Sequence, residues 1–292
     1  MNIPAPRTSG FTRSTDVPLY WCTYGPQLAP RQRLLVLHGG PGADHRYLLP
    51  QMLDLTPEFE LVFYDQRGGG RSKEVVPTRV TWQTQVHDLS RVVAELALDP
   101  LSIVGYSWGG LLALLYAIEA AKGRVGPPPS RLALIDPAPI SSAHGAAFEA
   151  EFARRQHGAA VQGLRAELAA SGLKERDPAA HRQRSFELSV AGYFADPNRA
   201  RDLTPFRVTG RVQQSIWESL GAFDLTHELA AVRGPAIVVH GREDPIPLAN
   251  SESIAAALKA KFVPLDDCGH VPYVEQREKL FAVLREFFRA TA

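Results

Sequence analysis

Short apolar runs recur along the chain, and most are apolar throughout instead of alternating with polar residues. Arg33–His38 (RLLVLH), Phe59–Tyr64 (FELVFY), Leu101–Tyr106 (LSIVGY), Arg131–Asp136 (RLALID) and Pro235–His240 (PAIVVH) have this form. Ala260–Leu265 (AKFVPL) is a weaker case. Continuous runs of this length suit parallel strands covered on both faces. Between them lie helix-like stretches at Trp82–Leu98, Trp108–Ala121, Leu248–Lys259 and Val274–Arg289. Strand–helix–strand alternation predicts a mostly parallel central sheet flanked by helices and joined by right-handed crossovers. Upstream, Val17–Tyr24 reads as an antiparallel strand at the sheet edge.

The alternation stops after Asp136. From Ser141 to Gly221 the chain is rich in Ala, Arg, Glu and Gln, with breaks at Asp177-Pro178, Asp196-Pro197 and Thr204-Pro205. That pattern predicts several short helices and no strand pair. Phe186, Leu188, Tyr193, Phe194, Phe206 and Trp217 need burial, which argues against a disordered linker. The expected organisation is a core domain of residues 1–140 and 222–292, interrupted by a helical cap at 141–221. The Gly126-Pro-Pro-Pro129 run reads as a stiff surface connection.

Composition narrows the class. The 292 residues are 45% hydrophobic and 22% charged, ordinary for a globular protein, with a formal net charge of +1. That balance gives no electrostatic case for nucleic acid or an anionic membrane. The two cysteines, Cys22 and Cys268, are too few for a disulfide framework or a cysteine zinc site. Residues 1–14 lack the apolar core of a signal peptide, and no run of about 18 uncharged apolar residues exists. A cytoplasmic location is expected.

Gly105-Tyr-Ser107-Trp-Gly109 matches G-x-S-x-G between an apolar strand and an apolar helix. This is the context of a nucleophile elbow, in which the turn exposes the serine hydroxyl above the sheet. The helix N-terminus adds free N–H groups and a dipole that favours negative charge. An α/β-hydrolase fold with Ser107 as nucleophile is therefore expected. A serine hydroxyl needs a base. Among nine histidines, His270 stands after the last strand and before the final helix, where the Ser–Asp–His chain order of the fold puts the base. Asp244 and Asp136 each follow a strand and compete for the acid position. Asp244 is preferred because its strand directly precedes the histidine unit, and Glu243 is one residue out of register. His38-Gly39-Gly40-Pro41-Gly42 follows the first buried strand. Glycines there let backbone N–H groups approach a carbonyl, and such donors are each worth about 3 kcal/mol to a tetrahedral oxyanion. The N–H groups of Gly40 and Trp108 are assigned this role, with Gly39 as the alternative to Gly40. No cofactor or metal is required. An aspartate at the elbow would point to dehalogenase or epoxide hydrolase chemistry, and this chain has serine.

The segments HGGPG (38–42), DQRGGGRS (65–72) and GYSWGG (105–110), with the later GRED and CGH, together resemble the proline iminopeptidase family of α/β-hydrolases. The resemblance spans about residues 36–272. It implies a metal-free serine mechanism that removes an N-terminal residue, proline preferred, from a short peptide, with a helical cap above the site. It also implies cap carboxylates that hold the substrate's α-amino group. The family pairs a glutamate with a following Tyr-Phe. Here Val190-Ala-Gly-Tyr193-Phe194 has valine at that position, so Glu187, one helical turn earlier, and Glu218 are the candidates for that role. Asp65-Gln66-Arg67 is expected to organise loops and take no part in chemistry. The missing glutamate favours the alternative of a carboxylesterase or lactonase with the same triad. Fold alone does not choose between them.

Overall fold

The computed structural model describes residues 3–73 and 80–290. Eight strands form one sheet: β1 (Thr8–Phe11), β2 (Tyr20–Tyr24), β3 (Arg33–Leu37), β4 (Glu60–Tyr64), β5 (Ser102–Tyr106), β6 (Arg131–Ile135), β7 (Ala236–Gly241) and β8 (Lys261–Leu265). Their spatial order is β1-β2-β4-β3-β5-β6-β7-β8. The pairs β1·β2 and β2·β4 are antiparallel, and the rest are parallel.

The continuous apolar runs form the parallel part. Every residue of β4 and β5 is buried. Successive side chains point to opposite faces. Val36, Phe63 and Val104 enter one apolar layer, whereas Leu35, Val62 and Ile103 enter the other. The strand expected at the edge, β2, is one place in from it, because β1 pairs outside it. With the sequence TSGF and little burial, β1 carries no apolar signal.

Ten helices of α type accompany the sheet: α1 (Trp82–Glu95), α2 (Trp108–Ala121), α3 (Ser142–Gln156), α4 (Ala159–Ala170), α5 (Leu173–Arg176), α6 (Pro178–Val190), α7 (Gly210–Leu220), α8 (Leu248–Leu258), α9 (Pro272–Glu275) and α10 (Arg277–Arg289), as counted among the described residues. A reciprocal Thr81–Thr84 capping box starts α1, and its Val86, Leu89, Val92 and Val93 join α2 and α8 against one face of the sheet. Leu280, Phe281, Leu284 and Phe288 of α10 cover the other face. The single final helix expected from Val274 is broken at Gln276, whose backbone is not helical (φ −129°, ψ 44°). Its side-chain amide Nε2 donates to the carbonyls of Asp266 and Asp267.

Helices α3–α7 lie in the insertion between β6 and β7. The chain enters and leaves it side by side: Ser141 bridges Asp224, and Ser142 and Leu225 donate backbone N–H groups to Phe223 and Ile140. Val190, Phe194 and Leu203 of the insertion join the apolar layer that α10 covers, and Val212 and Ile216 of α7 join the opposite one. Among the described residues no helix is long and apolar enough to cross a membrane.

Candidate active site

Ser107 is the single residue between β5 and α2. Its backbone sits at φ 53°, ψ −121°, a region that non-glycine residues avoid. The surroundings hold it there: its N–H donates to Ile135 O at 2.9 Å, and its carbonyl accepts from Gly110 and Ala138. Gly105 is required by close approach, since a Cβ would lie 2.7 Å from Gly109 O. The Ser107 side chain makes no capping bond to its own helix and stays available.

His270, in the loop after β8, has Nε2 3.0 Å from Ser107 Oγ. Its Nδ1 donates to Asp244 Oδ2 at 2.7 Å. The other Asp244 oxygen accepts the N–H of Ile246 at 2.7 Å. The imidazole is thus bound to the carboxylate through one nitrogen and presents the other to the hydroxyl, the geometry general-base activation needs. Burial pushes the imidazole below its ordinary value, which keeps it a neutral base at neutral pH. Burial pushes the Asp244 carboxyl up, and the Ile246 N–H opposes that. Glu243 turns away and accepts the N–H of Cys268 at 2.9 Å. Asp136 lies behind Asp244 and accepts the N–H of Gly241 at 2.8 Å.

The loop after β3 brings two candidate donors toward the serine. Gly39 donates its N–H to Tyr47 Oη at 2.7 Å, which consumes that donor. Among the described residues no hydrogen bond takes the N–H of Gly40 or of Trp108. The segment Asp65-Gln66-Arg67 braces this region. Gln66 bonds both the backbone and the ring of His38 and accepts Trp108 Nε1 at 2.8 Å. Asp65 binds His45 at 2.7 Å, and Arg67 reaches Asp88 through two nitrogens, each at 2.7 Å.

A cavity of about 680 Å³ opens at Ser107 and His270 between the sheet edge and the insertion. Tyr47, Tyr106, Trp108, Phe148, Tyr193, Phe206, Trp217, Phe223 and Tyr273 make its walls largely aromatic. Neither Glu187 nor Glu218 is among the residues that line it. Glu187, on α6, is engaged along its own helix by Arg184 at 2.7 Å and Gln183 at 3.1 Å. Glu218, on α7, accepts from Gln214 at 2.7 Å. Pairing of side chains three and four apart on one helix face accounts for both. Among the described lining residues the one carboxylate is Glu149, exposed on α3. Ser142, Gly145, Ala146 and Glu149 share one helix face by the 3.6-residue period, but only the packing of α3 turns that face to the cavity.

Two buried clusters, Asp44–His45–Asp65 and Asp136–His240–Asp244, have donor atoms within 4.8 Å of one another. In the first, His45 is engaged by Asp65 and by the Cys22 thiol at 3.3 Å. Burial pushes that thiol up to about 12, far from the reactive thiolate. In the second, His240 Nε2 lies 3.1 Å from Ile246 O and Nδ1 2.9 Å from Ser251 Oγ.

A family model described as alpha/beta hydrolase fold matches residues 32–276, and the chain belongs to that family. Within it, the chain is 25% identical over 282 residues to a proline iminopeptidase of Lactobacillus delbrueckii subsp. bulgaricus, covering 91% of this chain and 93% of that protein. Among solved structures it is similar to the proline iminopeptidase of Mycobacterium smegmatis, with a TM-score of 0.69 at 19% identity, covering 96% of this chain and 97% of that one. An esterase from Exiguobacterium antarcticum is equally alike in fold, with a TM-score of 0.67 at 20% identity, covering 97% of this chain and 100% of that one.

Proposed function

We propose that this chain is a serine hydrolase that works through an acyl-enzyme, with Ser107, His270 and Asp244 as its triad. The observation that carries this reading is the unbroken relay from Ser107 Oγ to His270 at 3.0 Å and on to Asp244 at 2.7 Å. Ser107 Oγ attacks a carbonyl carbon as His270 Nε2 takes its proton. Asp244 holds the tautomer and stabilises the imidazolium. The N–H groups of Gly40 and Trp108 receive the developing oxyanion. His270 returns the proton to the leaving group, and water repeats the sequence to release the acid. Residues 141–221 act as a cap that forms the outer wall of the acyl pocket.

The cavity best suits an uncharged, apolar acyl group, so the favoured substrates are small esters or lactones. Holding an ammonium group between aromatic walls carries a large desolvation cost unless a carboxylate meets it. The second reading, removal of an N-terminal residue from a short peptide, has two supports. Its relatives match over nine-tenths of the chain, and Glu149 offers a carboxylate to the cavity. Parallel turnover of a short-chain aryl ester and a proline arylamide with a free α-amino group separates the two. Ester turnover well above arylamide turnover supports the first. Arylamide turnover that N-acetylation of the substrate abolishes supports the second.

A further inference from the structure

Asp136 directly follows β6, with its backbone at φ 41° and its side chain fully buried. The triad does not use it. Its Oδ1 accepts the N–H of Gly241 at 2.8 Å. Its Oδ2 is buried and receives a hydrogen bond from no neighbouring N–H or O–H among the described residues. The nearest acidic group is the buried carboxyl of Asp244: donor atoms of Asp136, His240 and Asp244 all lie within 4.8 Å of one another. Two buried carboxylates this close strongly oppose double ionisation, so the pair holds one proton.

The count of donors says where that proton sits. Asp244 accepts from Ile246 N–H on one oxygen and from His270 Nδ1 on the other. Both bonds favour its charged form. Asp136 accepts from one N–H only and has an oxygen to spare. We infer that Asp136 is a positioning residue: it carries the proton on Oδ2 and donates it to Asp244, so that a neutral carboxyl holds the triad carboxylate from behind. The orphaned Oδ2 then has its partner, and Asp244 stays an anion facing His270. The other titratable groups around the pair fit this assignment. Burial pushes His240, 3.3 Å from Asp136 Oδ1, down to about 4, so it brings no positive charge. Arg155 and Glu275 act on Asp244 with opposite signs. No negative charge on Asp136 is needed, and burial with Asp244 alongside pushes its carboxyl well above the ordinary value.

The inference rests on the proposed triad, and its test separates the two. Asp136→Asn keeps the shape, the acceptor for Gly241 and a donor toward Asp244; Asp136→Ala removes the donor. On a short-chain aryl ester, Asp136→Asn is expected to keep kcat within about threefold with an unmoved pH profile, whereas Asp136→Ala loses at least about tenfold. A native pKa above 3.8 means a stability contribution complete below that pH and lost as pH rises. Asp136→Asn escapes that loss, so its Tm advantage over the wild type grows as pH rises above about 4. At neutral pH the wild type shows the infrared carbonyl band of a protonated carboxyl that Asp136→Asn lacks. An Asn variant as inactive as the Ala variant, or no such band, overturns the inference. A wild type that turns over no ester overturns the proposed triad instead, and the band and the Tm series still test the proton on Asp136.

Discussion

The backbone N–H of His270 donates to the carbonyl of Tyr193 at 2.7 Å, and the two rings lie with centroids 5.1 Å apart. The loop that carries the base is thereby tied to the insertion. Gly269 makes the tie possible, because a Cβ there would run into Tyr193 O and come within 2.8 Å of Ala195 N. Gly269→Ala is expected to displace the imidazole and lower kcat about 10²-fold. KM and the secondary structure content should change little. Steady-state kinetics with circular dichroism checks this.

The glycines after β3 should respond unequally. At Gly39 a Cβ would lie 2.7 Å from Ser107 Cβ and 2.9 Å from Tyr47 Oη. At Gly40 the nearest atom is 3.5 Å away, although φ is +55°. Gly39→Ala should therefore lose most of the activity. Gly40→Ala keeps its N–H and meets only the backbone strain of about 1–2 kcal/mol, read as a lower Tm with kcat largely retained. Equal losses in kcat would contradict the placement of the oxyanion loop.

Glu275 joins the same two segments from the core side. Its carboxylate accepts the N–H groups of Gly269 and Ala195 at 2.8 and 2.9 Å. Burial pushes it up to about 7, and those N–H groups pull it back down. A carboxyl raised above its unfolded value of 4.5 supports the fold fully below that pH and progressively less up to about 7. Glu275→Gln should flatten the fall in stability across that window. Denaturation midpoints at several pH values measure the slope, which decides the matter independently of the absolute stability of the variant.

The cavity's carboxylate has a separable role. Glu149→Gln should leave ester turnover unchanged and reduce whatever turnover an arylamide with a free α-amino group supports. Glu187→Ala and Glu218→Ala should change neither, because those side chains are engaged on their own helices. Kinetics of the three variants on both substrates checks all of this.

The sheet and the relay could be read from the sequence because their signals are local. Runs such as LVFY and SIVGY are apolar on both faces, and only a covered strand accommodates that. A turn motif and two loop positions single out Ser107, Asp244 and His270, whose side chains the fold brings within hydrogen-bonding distance. What escaped depends on tertiary packing. The strand Thr8–Phe11 exists because β2 offers it an edge. Whether Glu187 or Glu149 faces the cavity depends on how each helix is rotated, and spacing near Tyr193 does not report that rotation. The choice between Asp244 and Asp136 hid a further relationship: the two rivals meet in one buried cluster, with donor atoms within 4.8 Å, which only the fold brings together.

The central claim is that Ser107 is a nucleophile activated by His270. Intact-mass measurement after treatment with a fluorophosphonate tests it most directly. The wild type should gain one phosphonyl adduct on the peptide that contains Ser107, and Ser107→Ala should gain none. His270→Ala should be labelled at least about 10³-fold more slowly. A wild type that resists the reagent, or an adduct that persists in Ser107→Ala, would contradict the account.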